Sequence, residues 1–575
     1  MQLTDYLTEE IGRVFTVDTQ KIHINILKEE NMNLIRINDL LIMNGNDATE
    51  KLIGLVTKVS KKINNDVLDE PEADNDEIST NFCVASLIGT FYTKLGTKEN
   101  VFKRVINTYP EINSCCYRAD RNTLPYIMNA LKDNSTSALN IGKYSNDKTV
   151  DAILDGNKFF QRHAAIVGST GSGKSYTVAN ILERANELSY SNIILFDLHG
   201  EYNEFSYAKQ LKISSNGGLH IPLWFFNYEE IHSLFIESSE GTSSNQRAAV
   251  VDYILKSKKK YISDYYSELS GDVVTADTPI PFSASQLLEY LKMQNILEEE
   301  TGETYKTGEK AGMHKTRQGQ YYGKLTNLIT RLQTKFDDKK YSFIFDEDET
   351  KSHKYLNKFV NELLSFNDKN IKIVDLSEVP SDILAIVIGI ITRIIYDVQF
   401  WNYPNSKDEQ RHPIALICDE AHIYMPSDNS KLKATEKKSL EVFETIAKEG
   451  RKYGVGLLIV SQRPAELNQT IFSQCNNIMA LKITNDRDKN SVASMLTDSL
   501  VGVVDLLPTL DVGECIVVGD AILIPTKILL RSDLKEIPKS TTIDFWDRWS
   551  DKENTVFDYD SAILNMIRQT GTKLN

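Results

Sequence analysis

The stretch GSTGSGKS, Gly168 to Ser175, fits the pattern GxxxxGK[ST] without a gap. A polyphosphate needs several backbone N–H groups turned inward, so a loop that cradles one must be largely free of β-carbons. Gly168, Gly171 and Gly173 supply that freedom. Lys174 can place its ammonium on the β- and γ-phosphates, and Ser175 can ligate Mg²⁺. The helix expected to start near Lys174 turns the positive end of its dipole toward the anion. Ser169, Thr170, Ser172 and Tyr176 complete the stretch expected to line a bound ATP.

A phosphate loop hydrolyses only with an acidic partner. IALICDE ends an apolar run on Asp419 and Glu420. Asp419 can hold the water shell of the metal, and Glu420 can take a proton from an attacking water. VGLLIVSQ is another apolar run, ending on Ser461 and Gln462; at the C-terminal edge of a parallel sheet Gln462 would sense a γ-phosphate or orient water. Arg451, in EGRKYG, and Arg162, just before HAAIVG, could each reach a neighbouring subunit's γ-phosphate, or simply cap a helix or bind a surface carboxylate. In FDLHGEY, Asp197, His199 and Glu201 gather one histidine and two carboxylates, a weak metal pattern that suits loop stabilisation better. No Ser/His/Asp nucleophile set and no nuclease-like carboxylate cluster with a lysine is evident.

Composition narrows the class. The chain has 575 residues, enough for two to four domains, with 41% hydrophobic and 25% charged residues, as in ordinary globular proteins. The formal net charge of −15 argues against a surface uniformly adapted to nucleic acid, but not against basic residues confined to a channel. The first residues, MQLTDYLTEE, lack a secretory pattern, and the six cysteines have no metal-ligand spacing. Buried free thiols in the cytoplasm are expected, with no membrane contact. The longest apolar run, Asp382 to Val398, holds Arg393 and Asp397 and reads as a buried helix rather than a bilayer span.

These residues need elements to position them. Residues 1–148 read as short β-runs forming a small barrel, interrupted by the acidic loop NNDVLDEPEADNDEIST. HAAIVG, the glycine loop, TVANILERANEL and NIILFD give strand, loop, helix, strand, the start of a parallel α/β sheet. IKIVDLS, IALICDE, VGLLIVSQ and IMALKI continue it. Hence an α/β core is expected over 149–205 and 370–530, interrupted by a helical insertion over 206–369. ECIVVGDAILIPTKILL reads as a hairpin turning at Gly519 and Asp520. A polar tail follows over 531–575. Within the insertion, 301–340 holds nine Lys/Arg against four Asp/Glu, with Tyr305, Tyr321 and Tyr322. Such a stretch could meet DNA phosphates or simply be solvated.

Together GSTGSGKSYT, DLHGEY, ICDEAHIYMP, EGRKYGVGLLIVSQRP and SQCNNIMALKITN resemble the HerA branch of the FtsK–HerA ATPases, most specifically over 150–205 and 371–530. More loosely, IGRVFTV resembles the start of the family's N-terminal barrel. The resemblance implies a RecA-like P-loop core in a homohexameric ring, with ATP and Mg²⁺ between subunits and double-stranded DNA translocated through the pore. Lys174, Ser175, Asp419, Glu420 and Gln462 match the family's nucleotide-site motifs. Arg162 and Arg451 fall where the family has inter-subunit arginines. It also implies a partner docked on the barrel: a nuclease or a sirtuin-like NAD-consuming effector, in DNA processing or antiphage defence. Two duties follow: a ring motor on DNA, or an ATP-regulated platform that scaffolds and activates its partner.

Overall fold

The computed structural model describes residues 7–568 except 8–9, 20, 46–49, 64–78, 94–99, 121–122, 125, 128–137, 146, 215–217, 238, 267–272, 305, 307–312, 367–368, 405–410, 429, 431, 497–500, 540–544 and 551–558. Nearly all of the acidic stretch of the barrel, and Tyr305, therefore lie outside the described residues. The chain divides into two compact units: Met1–Glu187 with Leu458–Ile537, and Leu188–Leu457 with Pro538–Asn575.

The first unit opens with β1 (Glu10–Val17), β2 (Lys21–Ile26), β3 (Leu40–Asn44), β4 (Glu50–Ile63), β5 (Ser79–Thr93), β6 (Asn100–Lys103) and β7 (Cys115–Arg118). They run in the order β2-β1-β7-β3-β4-β5-β6, and β2 also pairs with β5. That last pairing closes an antiparallel barrel and removes the edges that an open sheet would expose. Alternation along the strands turns Ile11, Val14, Ile22, Ile24, Leu41, Met43, Leu52 and Val56 into the barrel core.

Then come β8 (Ala138–Tyr144), β9 (Asp151–Asp155) and β10 (Ala164–Val167). The sequence reading placed residues up to 148 in the barrel. The structure instead pairs β8 with β9 and with a strand near the C-terminus. A short apolar run such as LNIGKY carries no information about which sheet will take it. β10 is wholly buried, and the helix Lys174–Asn186 follows its glycine loop.

The second unit contributes β11 (Ile193–Asp197), β12 (Ala208–Lys212), the exposed hairpin of β13 (Glu298–Thr304) and β14 (His314–Gln318), β15 (Ile371–Asp375) and β16 (Ile414–Cys418). Four of them form parallel pairs in the order β12-β15-β11-β16. β12 corrects the insertion boundary expected at 206. AKQLK is too polar to read as a core strand, and it takes the end position beside β15. Between β12 and β15 the chain is mostly helical, including Ser243–Tyr265, Ala284–Ile296 and Thr326–Asp337, where the amphipathic spacing predicted helices.

The run from Asp382 forms the helix Leu384–Asn402. It is long and apolar enough to cross a membrane by length and composition, yet more than half of its apolar window is buried inside the protein. Arg393 on it donates to the buried Glu230 carboxylate at 3.0 Å and to the Phe225 carbonyl at 2.7 Å.

β17 (Val455–Ser461) crosses the boundary between the units, which falls after Leu457. β18 (Asn477–Ala480), β19 (Glu514–Gly519) and β20 (Thr526–Leu530) then complete the first unit. There β10 runs parallel to β17 and β18, while β19, β20, β8 and β9 follow antiparallel. The expected hairpin from Glu514 is thus β19 and β20. All six cysteines are free, and all but Cys115 are buried. The fold is an α/β RecA-like P-loop core with a helical insertion and a small N-terminal β-barrel.

Candidate nucleotide site

In the first unit the loop leaves the end of β10. Gly171 and Gly173 have φ of +74° and +100°, the left-handed region in which a β-carbon is strained. Gly168 is needed for a different reason: a β-carbon there would lie 2.6 Å from Ser172 Oγ and 2.9 Å from Leu481 Cβ. The loop is tied down by Gly168 N–H to the Ser461 carbonyl at 3.3 Å and by Ser169 N–H to the Lys482 carbonyl at 2.9 Å. The concave backbone is therefore built before any ligand arrives.

The charged and polar groups of the loop follow. Lys174 is buried at the helix start, and its ammonium donates to the Ser169 carbonyl at 3.3 Å. The first N–H groups of that helix have no intrahelical acceptor. Ser172 Oγ is buried with no hydrogen-bond partner among the described residues. A loop with a buried ammonium, an orphaned hydroxyl and the start of a helix fits a polyphosphate. Thr170, exposed on the loop, donates its hydroxyl to Gln462 Oε1 at 2.5 Å, so the end of β17 and the glycine loop are joined directly. Ser175 is partly exposed. Tyr176 turns elsewhere: its phenol meets the Leu534 backbone and the Arg531 charge.

Arg162 lies just before β10 and pairs with Asp520 through a short ion pair. Arg451 sits in the second unit on the turn Gly450–Tyr453. Its side chain is exposed, with no ion pair among the described residues.

The acidic groups cluster within the second unit. Asp375 ends β15 and Asp197 ends β11, paired in register, and Phe196 pairs with Cys418 just before Asp419. Parallel strands ending together thus place three aspartates along one edge. Asp197 serves its own loop. Its Oδ1 accepts the N–H groups of His199, Gly200 and Glu201 at 2.8–3.2 Å, and its Oδ2 accepts that of Tyr202 at 3.0 Å. This is the loop-stabilising reading of DLHGEY, and among the described residues no cluster of His, Cys, Asp and Glu is arranged to hold a metal unaided.

Asp419 and Glu420 are both buried. Burial, reinforced by the charge of Glu420, pushes the Asp419 carboxyl up to about 8. A carboxylate so destabilised is a ready ligand for a cation, which would return it to the ionised form. Its surroundings were not legible in the sequence. The Tyr202 hydroxyl lies 3.5 Å from Asp419 Oδ2, and the Tyr424 hydroxyl donates to the Asp419 carbonyl at 3.0 Å. Glu420 adopts φ of +45°, an unusual conformation for a residue with a side chain. His422 Nδ1 lies 3.3 Å from Glu420 Oε2. Of these partners His422 and Tyr424 are close in sequence; Tyr202 arrives by folding.

Part of the basic stretch of the insertion is paired with acids. Lys315 pairs with Glu303, Arg317 with Glu299, Arg331 with Glu240 and Lys335 with Asp382. Tyr321 is buried. The local positive charge read from 301–340 is thereby offset in part by acids, three of them from outside the stretch.

Residues 139–395 match the family model of the central domain of the helicase HerA. A probable helicase of Methanocaldococcus jannaschii is 26% identical over 414 residues, covering 71% of this chain and 69% of that protein. The DNA double-strand break repair helicase HerA of Saccharolobus solfataricus is 28% identical over 383 residues, covering 66% of each. A second probable helicase of M. jannaschii is 24% identical over 542 residues, covering 92% of both chains. Among solved structures, VirB4 of Thermoanaerobacter pseudethanolicus gives a TM-score of 0.44 at 16% identity, covering 69% of this chain and 97% of that one.

Proposed function

We propose that the chain is a HerA-type P-loop ATPase of the FtsK–HerA superfamily, as the match of residues 139–395 and the similarity to HerA helicases support, and that it is an ATP-hydrolysing ring motor that moves double-stranded DNA. The reading is carried by the preformed phosphate loop of the first unit; the second unit holds a buried Asp–Glu pair at the end of a parallel strand. Assignment of both to one reaction rests on the family.

Bound MgATP supplies the phosphoanhydride bond and the Lewis acid. The Lys174 ammonium and the N–H groups at the start of its helix would hold the phosphates. Ser175 and Asp419 would hold the magnesium. Glu420 would accept a proton from the attacking water, and Gln462, held to the loop by Thr170, would orient that water. The exposed Arg451, which has no ion pair among the described residues, suits a contact with a neighbouring subunit's nucleotide, as a hexameric ring requires. The barrel exposes Phe15, Leu27, Ile37 and Ile112, which supports a partner effector, a nuclease or an NAD-consuming enzyme, docking there.

The test is ATP turnover with and without duplex DNA. Wild type is expected to be stimulated by DNA. Glu420→Gln should retain ATP binding and lose hydrolysis by at least about a hundredfold. Wild-type turnover in that variant would remove Glu420 from the mechanism. Turnover indifferent to DNA would remove the motor.

A further inference from the structure

Asp520, on the turn between β19 and β20, is flanked by two arginines from distant parts of the first unit. Its Oδ2 pairs with Arg162 Nη1, and its Oδ1 lies 3.5 Å from Arg104 Nη1. Burial alone would raise the Asp520 carboxyl; the Arg162 hydrogen bond and charge, with the charge of Arg104, bring it below the usual aspartate value.

Arg104 follows β6 of the barrel and organises the turn that carries Asp520. Its Nε donates to the Leu523 carbonyl at 2.9 Å, and its Nη2 donates to the carbonyls of Gly519 and Ile522. Three carbonyls of one short turn are thus fixed by a single barrel side chain. On the other side, Arg162 leads into β10 through His163, whose φ of +53° is strained for a residue with a β-carbon. That junction is held by Asn477, which is fully buried. Its Nδ2 donates to the carbonyls of Lys158 and His163 at 3.0 and 3.2 Å, and its Oδ1 accepts the Ala521 N–H at 2.7 Å. A rigid route of hydrogen bonds therefore runs from the barrel through the turn to the residue that precedes the phosphate-loop strand.

We propose that Asp520 is a positioning residue for Arg162, and that Arg104 makes the barrel part of that support. This rests on the reading that Arg162 acts in ATP hydrolysis on a neighbouring subunit. A guanidinium that must reach across a subunit boundary gains rate only if its direction is set beforehand. Asp520 supplies that direction, and the barrel, through Arg104, sets Asp520. A force applied to the barrel would then reach the arginine without touching the nucleotide.

The test uses the full-length protein, with ATP turnover measured in the presence of duplex DNA. Asp520→Asn and Arg104→Gln are each expected to lower kcat about ten- to a hundredfold with little change in KM. Asp520→Glu should recover part of the loss. In an Arg162→Ala background, Asp520→Asn should cost nothing further, because the pair acts as one unit. Wild-type kcat in both Asp520→Asn and Arg104→Gln would overturn the proposal, as would additive losses in the double variant. An Arg162→Ala protein with wild-type kcat would instead sink the reading of Arg162 itself. If Asp520→Asn does not fold, Arg104→Gln and the Arg104→Gln, Arg162→Ala double variant carry the same comparison.

Discussion

At the scale of single residues, the nucleotide site combines local pattern with burial. Gly168 is dictated by close approach. Gly168→Ala places a methyl group 2.6 Å from Ser172 Oγ and 2.9 Å from Leu481 Cβ. We expect a loss of about 1–3 kcal/mol of stability and weaker ATP binding, read by thermal melting and nucleotide titration. Asp419 gives a pH dependence with a defined sign. Its carboxyl is raised by burial and by Glu420 to about 8, above the unfolded value near 3.9. Its contribution to stability is therefore fully present below about pH 4 and lost as pH rises through about 8. Asp419→Asn cannot ionise. Without nucleotide and magnesium its melting temperature should gain on wild type as pH goes from 5 to 9, while ATP turnover is abolished. A gap between the two proteins that stays constant with pH would contradict this. The glycine loop and the Asp–Glu pair were legible because each is a short local pattern beside an apolar run. Tyr202 beside Asp419 and Asp520 beside Arg162 were not, because residues 217 and 358 positions apart meet only by folding.

At the scale of elements, the helix Leu384–Asn402 shows how context decides the meaning of a hydrophobic run. Gly389 on it lets Ser439 approach: a β-carbon would fall 2.5 Å from Ser439 Oγ and 2.9 Å from Ser439 Cα. Ser439 in turn donates its hydroxyl to the Ala385 carbonyl at 2.6 Å. Gly389→Leu should destabilise the protein by about 1–3 kcal/mol or more, measured by chemical denaturation. A helix facing lipid at that position would tolerate the leucine. Strands behaved unevenly under sequence reading. β10, β11, β15, β16 and β17 were visible as continuous apolar runs, as strands buried on both faces must be. β12 was not, since a strand at the end of its series needs only one apolar neighbour. The mixed composition of β13 and β14 hid a hairpin whose cross-strand Glu299–Arg317 pair forms across antiparallel strands.

At the scale of the whole molecule, the net charge of −15 and the partly paired basic stretch bear on how DNA could be held. If the proposed motor reading holds, duplex DNA should bind only to a ring that gathers basic residues in a channel. We expect wild type to sediment as a hexamer with MgATP and to bind DNA with a steep salt dependence. A monomer under all conditions would contradict the ring. Some of this was fixed by the sequence alone. The phosphate loop, the acidic pair and the order of buried strands depend on short-range pattern: which residues lack a β-carbon, which lie four or five apolar positions before a carboxylate. Tertiary structure decided the rest. It set which sheet takes β8, which carboxylate neutralises Arg317 and Lys335, what surrounds Asp419, and which side chain holds Arg162. Each of these is a choice among partners far apart along the chain, and such choices are made by burial and geometry rather than by spacing.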